Sequence, residues 1–232
     1  MSIMPHLRAV LLDLDGTLVD SAEDLRDALN EVLAREGLRT VGPAEVRSMI
    51  GDGALKLVER GLERTGGDAG RARQLLPRFL DAYEPRASRK TRPYPGVVDT
   101  LRDLHGRGIR LAVVTNKPEA ATRAILEALA LAPFLDAVIG GDTLPQRKPR
   151  PEPLAEALRR LGADGDSAVM VGDNHHDVQA ARAAGLKVIL VSYGYAHGEP
   201  QSFGADRVID RFQDLTRALA EPIFALASSR PL

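Results

Sequence analysis

Apolar positions fall in two rhythms along the chain. Short runs rich in valine, isoleucine and leucine predict strands at Ala9 to Leu12, Arg110 to Val114, Ala137 to Ile139, Ala168 to Val171, Lys187 to Val191 and Arg207 to Ile209. Runs apolar on successive positions, such as Leu111-Ala112-Val113-Val114, suit strands covered on both faces, as in a parallel sheet. Between them the apolar residues recur at helical spacing, and strand alternating with helix predicts an α/β fold with a doubly wound, mostly parallel sheet.

One interval breaks the alternation. Nearly a hundred residues separate the first two strands, and their pattern is helical throughout: Leu25, Leu29, Val32 and Leu33; Val46, Met49 and Ile50; Leu55, Val58 and Leu62; Leu75, Leu76, Phe79, Leu80 and Tyr83. Ser21 and Asp24 read as a capping pair at its start. The interval is too long for a plain crossover, so residues 19–92 are expected to form an all-helical inserted domain, with 1–18 and 93–232 making the core. Hinges are expected near Val19-Asp20 and Arg92-Pro93-Tyr94.

Composition narrows the function classes. The 31 Lys and Arg balance 32 Asp and Glu, which points away from a nucleic acid or a membrane surface as partner. Absence of cysteine removes disulfides and thiolate chemistry and agrees with a reducing, cytoplasmic location. Met1 to Arg8 is short and carries a proline, so no signal peptide is expected there, and no apolar run approaches the roughly 20 residues of a membrane span. Ser228 to Leu232 reads as a dispensable tail.

Chemistry is concentrated where the strands end, and open parallel sheets bind ligands outside the carboxyl ends of their strands. The first strand runs into Asp13-Leu14-Asp15-Gly16-Thr17, two carboxylates on one strand face followed by a glycine turn. Such a pair needs a cation, a shared proton, or both. The second ends in Thr115-Asn116-Lys117-Pro118, a hydroxyl, an amide and a helix start that suit an anion. Lys148 follows the third in a proline-stiffened loop, and the fourth ends in Gly172-Asp173-Asn174-His175-His176-Asp177. Carboxylates, hydroxyl and lysine at four strand ends describe a phosphate site with a hard, oxygen-liganded cation, for which Mg²⁺ is the expected ion.

These four elements, in this order, resemble the phosphatase branch of the haloacid dehalogenase superfamily, and the resemblance covers nearly the whole chain. Within that branch, Leu14-Asp15-Gly16-Thr17-Leu18-Val19-Asp20-Ser21, Ile50-Gly51-Asp52-Gly53-Ala54, Pro93-Tyr94-Pro95-Gly96-Val97, Ile139-Gly140-Gly141-Asp142 and Tyr193-Gly194-Tyr195-Ala196-His197-Gly198 resemble the bacterial phosphoglycolate phosphatases. The stretch from Gly172 to Asp177 departs from that subgroup's Gly-Asp-Ser-Arg-Asn-Asp pattern. The resemblance implies a Rossmann-like core with a helical cap and a small phosphorylated metabolite as substrate, acting as monomer or homodimer. It implies Asp13 as nucleophile, Asp15 as acid and base, and Thr115, Asn116 and Lys148 around the phosphoryl group. Asp13, the carbonyl of Asp15 and Asp173 would hold Mg²⁺, with Thr17 and Asp177 as braces.

Each residue also has a plainer reading. Thr115 and Asn116 could cap the next helix, Lys148 could be a solvated loop cation, and Asp173 and Asp177 could be helix-start acids favoured by the dipole; their joint position at successive strand ends favours the shared site. Lys117 reads equally as a solvated first-turn residue or a phosphate contact, and His175 and His176 as solvated or supporting groups. Gly51-Asp52-Gly53 is either a substrate-facing loop or a plain turn, and Arg47, Lys56 and Arg60 are candidate cap cations without an assigned role. Four functions compete: a phosphoglycolate phosphatase, a phosphatase or phosphomutase for sugar phosphates, a haloacid dehalogenase, and a non-enzymatic phospho-acceptor module. The dehalogenase needs neither Asp15 nor a metal, and the acceptor module has no helical insertion after its first strand.

Overall fold

The computed structural model describes residues 7–224, so the segment Ser228 to Leu232 and most of Met1 to Arg8 lie outside it. The chain enters through β1 (Ala9–Leu12), whose four side chains are fully buried, and β2 (Val19–Asp20). Four helices follow: α1 (Ala22–Arg35), α2 (Pro43–Arg47), α3 (Ala54–Thr65) and α4 (Ala72–Tyr83). The return passes through β3 (Arg92–Pro93) and α5 (Val97–Gly106) to β4 (Arg110–Val114), α6 (Glu119–Ala128) and β5 (Ala137–Ile139). Then come α7 (Glu152–Leu161), β6 (Ala168–Gly172), α8 (His175–Ala183), β7 (Lys187–Val191), β8 (Arg207–Ile209) and α9 (Leu215–Leu219).

Six strands form one sheet in the order β5-β4-β1-β6-β7-β8, every neighbouring pair parallel. Alternate residues face opposite layers. Val10, Leu12, Leu111, Val113, Val169 and Val171 join one apolar cluster, while Ala9, Leu11, Ala112, Val114, Met170 and Val188 join the other. Burial on both faces is why these strands read as unbroken apolar runs. The chain leaves β1 for β4 and β5 on one side and returns to β6 on the other, which makes the end of β1 the topological switch point, where a crevice opens.

The helices between β2 and β3 form a cap over that crevice. β2 and β3 pair as a two-residue antiparallel ribbon, Val19 opposite Pro93 and Asp20 opposite Arg92, joining the two chain segments that link cap and core. Strands so short carry no periodicity and were not expected from the sequence. Ser21 and Asp24 do not form the expected capping pair: α1 lacks a side-chain N-cap bond. Asp24 is instead 2% exposed and accepts the backbone N–H groups of Lys90 (2.9 Å) and Thr91 (2.8 Å), tying the start of α1 to the chain's way out of the cap. No helix among the described residues is long and apolar enough to cross a membrane.

Replacing Asp24 by alanine leaves the buried Thr91 N–H without an acceptor, at a cost of about 1–3 kcal/mol. Urea unfolding of Asp24→Ala should show that loss, with Asp24→Asn recovering part of it through its remaining amide oxygen; an unchanged midpoint would mean that this bond does not fasten the cap.

Candidate active site

The site is assembled by local geometry at the strand ends. The Asp13 N–H donates to Val171 O (2.9 Å), carrying the β1 ladder one residue past the strand, and the chain then turns at Gly16. Gly16 has φ +87°, and a Cβ there would lie 2.3 Å from Asp173 Oδ2, so only glycine allows the first and fourth loops to close together. Gly172 meets a similar constraint: a Cβ would lie 2.2 Å from an Asp177 carboxylate oxygen.

Asp177 is 1% exposed and fully engaged. Its Oδ2 accepts the backbone N–H groups of Asp173 and Asn174, both at 3.1 Å, closing a capping box at the start of α8 with Asn174 as N-cap. Its Oδ1 accepts from Lys148 Nζ at 2.7 Å, and the same ammonium donates to Asp13 Oδ1 at 2.8 Å. Lys148 is buried, not solvated. Burial opposes its charge, but Asp13 and Asp177 outweigh burial and hold its pKa above the ordinary lysine value.

Asp13, Asp173 and Asp177 bring carboxylate oxygens within 4.8 Å of one another. Burial, with the nearby Asp177 charge, pushes the Asp13 carboxyl up to about 6 against the pull of Lys148. Asp173 is raised well above its usual range by burial and by the charges of Asp13 and Asp177, although the Tyr195 N–H bonds its Oδ2 at 2.6 Å. One ammonium therefore faces three buried carboxylates, and the surplus negative charge with an all-oxygen donor set fits a hard divalent cation.

The remaining groups surround this cluster. Thr115 is buried, extends β4 through its N–H to Ile139 O (3.0 Å), and does not cap α6, whose first N–H is taken by Asp142. Asn116 Nδ2 donates to Lys148 O (3.1 Å) and to Gly51 O of the cap (3.2 Å). Thus the Gly51-Asp52-Gly53 loop presents a backbone acceptor to the core. Thr17 lies behind the cavity, its hydroxyl unpaired and its carbonyl accepting from Tyr193 Oη at 2.9 Å. Asp15 is held at both oxygens: Ser21 Oγ donates to Oδ1 at 2.5 Å and Lys117 Nζ to Oδ2 at 2.8 Å.

Three of these features escaped the sequence reading. Lys117 is 6% exposed, so the solvated reading fails. Tyr195 links the fourth loop to the cap, donating from Oη to Asp20 (2.6 Å) and accepting from the Ser21 N–H (2.8 Å). His176 Nε2 lies 3.0 Å from Asp52 Oδ1, joining α8 to the cap loop. Of the candidate cap cations, Arg47 pairs with Asp20, Arg60 with Asp52 and Lys56 with Glu59.

The cavity under the cap is lined on the core side by Asp13, Asp15, Thr115, Lys117, Lys148 and Asp173, and on the cap side chiefly by Leu25, Ile50, Leu57, Phe79, Leu80 and Tyr83. It measures about 50 Å³ to the centres of water-sized spheres, against roughly 10–15 Å³ for a single water on that measure.

A fully parallel sheet with acids, hydroxyl and lysine at its switch point, roofed by helices after the first strand, defines a class of hydrolase. A sequence profile of the haloacid dehalogenase-like hydrolases matches residues 10–191, and the chain belongs to that family. A phosphoglycolate phosphatase of Rhodospirillum rubrum is 47% identical over 222 residues, covering 93% of this chain and 92% of its own. One from Caulobacter vibrioides is 44% identical over 211 residues, covering 90% and 89%. The crystal structure of a predicted phosphoglycolate phosphatase from Haemophilus somnus 129PT matches with TM-score 0.87 at 30% identity, over 93% of this chain and 99% of that one. Family and relatives together make the chain an enzyme, a phosphatase, which removes the phospho-acceptor reading.

The raised Asp13 carboxyl has a thermodynamic consequence in metal-free protein. Its folded pKa of about 6 exceeds the unfolded value of 3.8, so its contribution to stability falls as pH rises from about 4 to about 6. Melting in chelator should find Asp13→Asn more stable than the parent at pH 7.5, by roughly 2–4 °C for each kcal/mol relieved, with the difference gone at pH 4. Equal melting points at pH 7.5 would contradict the unfavourable ionisation.

Proposed function

We propose that this phosphatase hydrolyses 2-phosphoglycolate to glycolate and phosphate in the cytoplasm, with Mg²⁺, through an aspartyl-phosphate on Asp13. The observation that carries the mechanism is the buried ammonium of Lys148 shared by Asp13 and Asp177, with Asp15 beside them in the same cavity. What supports the substrate is the small cavity and the identity of 40–47% to relatives named for that activity.

With Lys148 holding Asp13 Oδ1, the other oxygen is the nucleophile. It forms a bond to phosphorus as the bond to the ester oxygen breaks, and Asp15 gives that oxygen a proton, so glycolate leaves as the alcohol. Water then attacks the same phosphorus, Asp15 takes its proton, and the phosphorus–Asp13 bond breaks to release phosphate. Thr115 Oγ1 and the Asn116 N–H bond the phosphoryl oxygens, while Lys148 offsets their charge as a point cation. Asp13, the Asp15 carbonyl and Asp173 would hold Mg²⁺, which when bound supplies further positive charge against those oxygens. Asp177 positions Lys148 and the loop that carries Asp173.

Phosphate release from 2-phosphoglycolate, measured beside sugar, nucleotide and amino-sugar phosphates, should favour phosphoglycolate and stop with chelator. Preference for a sugar phosphate would keep the chemistry and replace the substrate. Asp13→Asn should lower turnover by at least about 10³-fold while the fold is kept, and substantial residual activity would remove Asp13 as nucleophile. Asp173→Ala should raise the Mg²⁺ concentration for half-maximal activity at least tenfold, the lower end expected for a lost metal contact; an unchanged requirement would exclude Asp173 as ligand.

A further inference from the structure

Lys117 is a buried cation whose present partner is a residue the reaction needs free. Its ammonium lies 3.0 and 2.8 Å from the two Asp15 oxygens and 4.7 Å from the centroid of the Tyr83 ring, which the cap contributes. Burial opposes its charge, but Asp15 and Tyr83 keep it protonated, with a pKa above the ordinary lysine value. Tyr83 is itself 2% exposed, and its hydroxyl has no hydrogen-bond partner among the described residues. Burial pushes that hydroxyl's pKa up to about 12, so it remains a donor at neutral pH. The ammonium, bonded to Asp15, and this hydroxyl, without a hydrogen bond of its own among the described residues, both line the cavity and both can donate to an anion there.

The rest of the cavity narrows what that acceptor is. Lys148 is committed to Asp13 and Asp177, and Arg47, Lys56 and Arg60 are paired elsewhere and do not line the cavity. His176, the other basic group in the lining, is engaged with Asp52. The cap wall above is chiefly apolar, so an anion on the substrate's non-phosphate arm meets Lys117, which has one carboxylate partner where Lys148 has two, as the ammonium it can take over.

Position sets the length of the arm. Under the mechanism proposed above, Asp15 contacts the ester oxygen, and Lys117 Nζ is 2.8 Å from Asp15 Oδ2. In a phosphorylated α-hydroxy acid the carboxylate oxygens lie roughly 3 Å from the ester oxygen by ordinary bond lengths, which brings them within reach of an ammonium adjoining Asp15. We infer that Lys117, with the Tyr83 hydroxyl, is the specificity determinant that binds the substrate's carboxylate, exchanging Asp15 for it when substrate enters. The exchange releases an Asp15 oxygen to face the ester oxygen, so a substrate bearing an α-carboxylate frees the acid that serves it. An ester without that group leaves Asp15 tied to Lys117.

The inference rests on the phosphoglycolate reading, and a matched substrate pair separates the two. Kcat and KM are measured for 2-phosphoglycolate and for 2-hydroxyethyl phosphate, which replaces the carboxylate by a hydroxymethyl group, in the parent and in Lys117→Met. The parent should favour phosphoglycolate, and Lys117→Met should lower the ratio of the two kcat/KM values at least about 30-fold, the effect expected for a lost charged hydrogen bond of about 2 kcal/mol. Any loss common to both substrates, from leaving Asp15 without its cation, cancels in that ratio. A parent without preference for the carboxylate overturns the substrate reading and this inference together. A parent with strong preference and a variant with the same ratio overturns the role of Lys117 alone. Lys117→Gln, which keeps a donor without the charge, reads the same ratio should the methionine variant fail to fold, and Tyr83→Phe should lower the ratio by a smaller factor.

Discussion

Charge imbalance at the end of β1 is the constraint to which the rest of the site answers. Three carboxylates, of Asp13, Asp173 and Asp177, converge in a buried volume with one ammonium between two of them. Burying a charge without a partner costs several kcal/mol, and the neighbouring structure is arranged to reduce that cost. Asp177 takes two backbone N–H groups and the lysine; Asp173 takes the Tyr195 N–H; glycines at 16 and 172 let the loops approach closely enough for these bonds to form. What remains uncompensated is carboxylate charge on the cavity side, which is the charge a bound dication neutralises. The instability predicted for the metal-free arrangement and its fit to a dication thus have one origin.

The two halves of the molecule divide the chemistry. Core loops supply every group proposed to act on the phosphoryl transfer, at the ends of β1, β4, β5 and β6, where strand geometry fixes them. The cap supplies an apolar wall and is fastened to the core at separate points: Asp20 to Tyr195, Gly51 to Asn116, and Asp52 to His176. The Asp52 carboxyl is held well below its usual range, chiefly by His176, with Arg60 adding to the effect against partial burial. These ties supplement the two strands of two residues that join the cap to the core.

Much of this was legible in the sequence because its causes are local. Parallel strands buried on both faces must be apolar at successive positions, and five of the six sheet strands have the expected bounds; β6 runs one residue further, to Gly172. Helical spacing likewise exposed α1, α3 and α4, whereas of Val46, Met49 and Ile50 only Val46 lies in a helix, the five-residue α2, and the other two fall just beyond it. The site motifs sit at strand ends that the same pattern locates. What sequence missed depends on partners far along the chain. Ser21 and Asp24 have the spacing of a capping box, yet Ser21 bonds Asp15, six positions back, and Asp24 bonds Lys90 and Thr91 far along the chain. Lys117 could be read equally as solvated or as a phosphate contact, because its partners, Asp15 and Tyr83, are 102 and 34 positions away. Tyr195 acts across 174 positions on the Ser21 N–H.

Selection among phosphate esters cannot come from the groups that handle phosphorus, since every ester offers them the same atoms. It must come from the leaving-group side, where Asp15 is proposed to act. A hydrophobic wall alone discriminates weakly between small arms, because one methylene is worth only about 1–3 kcal/mol. A buried ammonium and an unpartnered hydroxyl discriminate more strongly, since an arm that cannot occupy them leaves polar groups unpaired out of water. In this chain that polar pair adjoins Asp15, and the proposed exchange would make recognition of the arm and release of Asp15 one event. Pairing the buried ammonium with Asp15 keeps the cation partnered until, on the reading proposed above, the substrate's carboxylate takes it over.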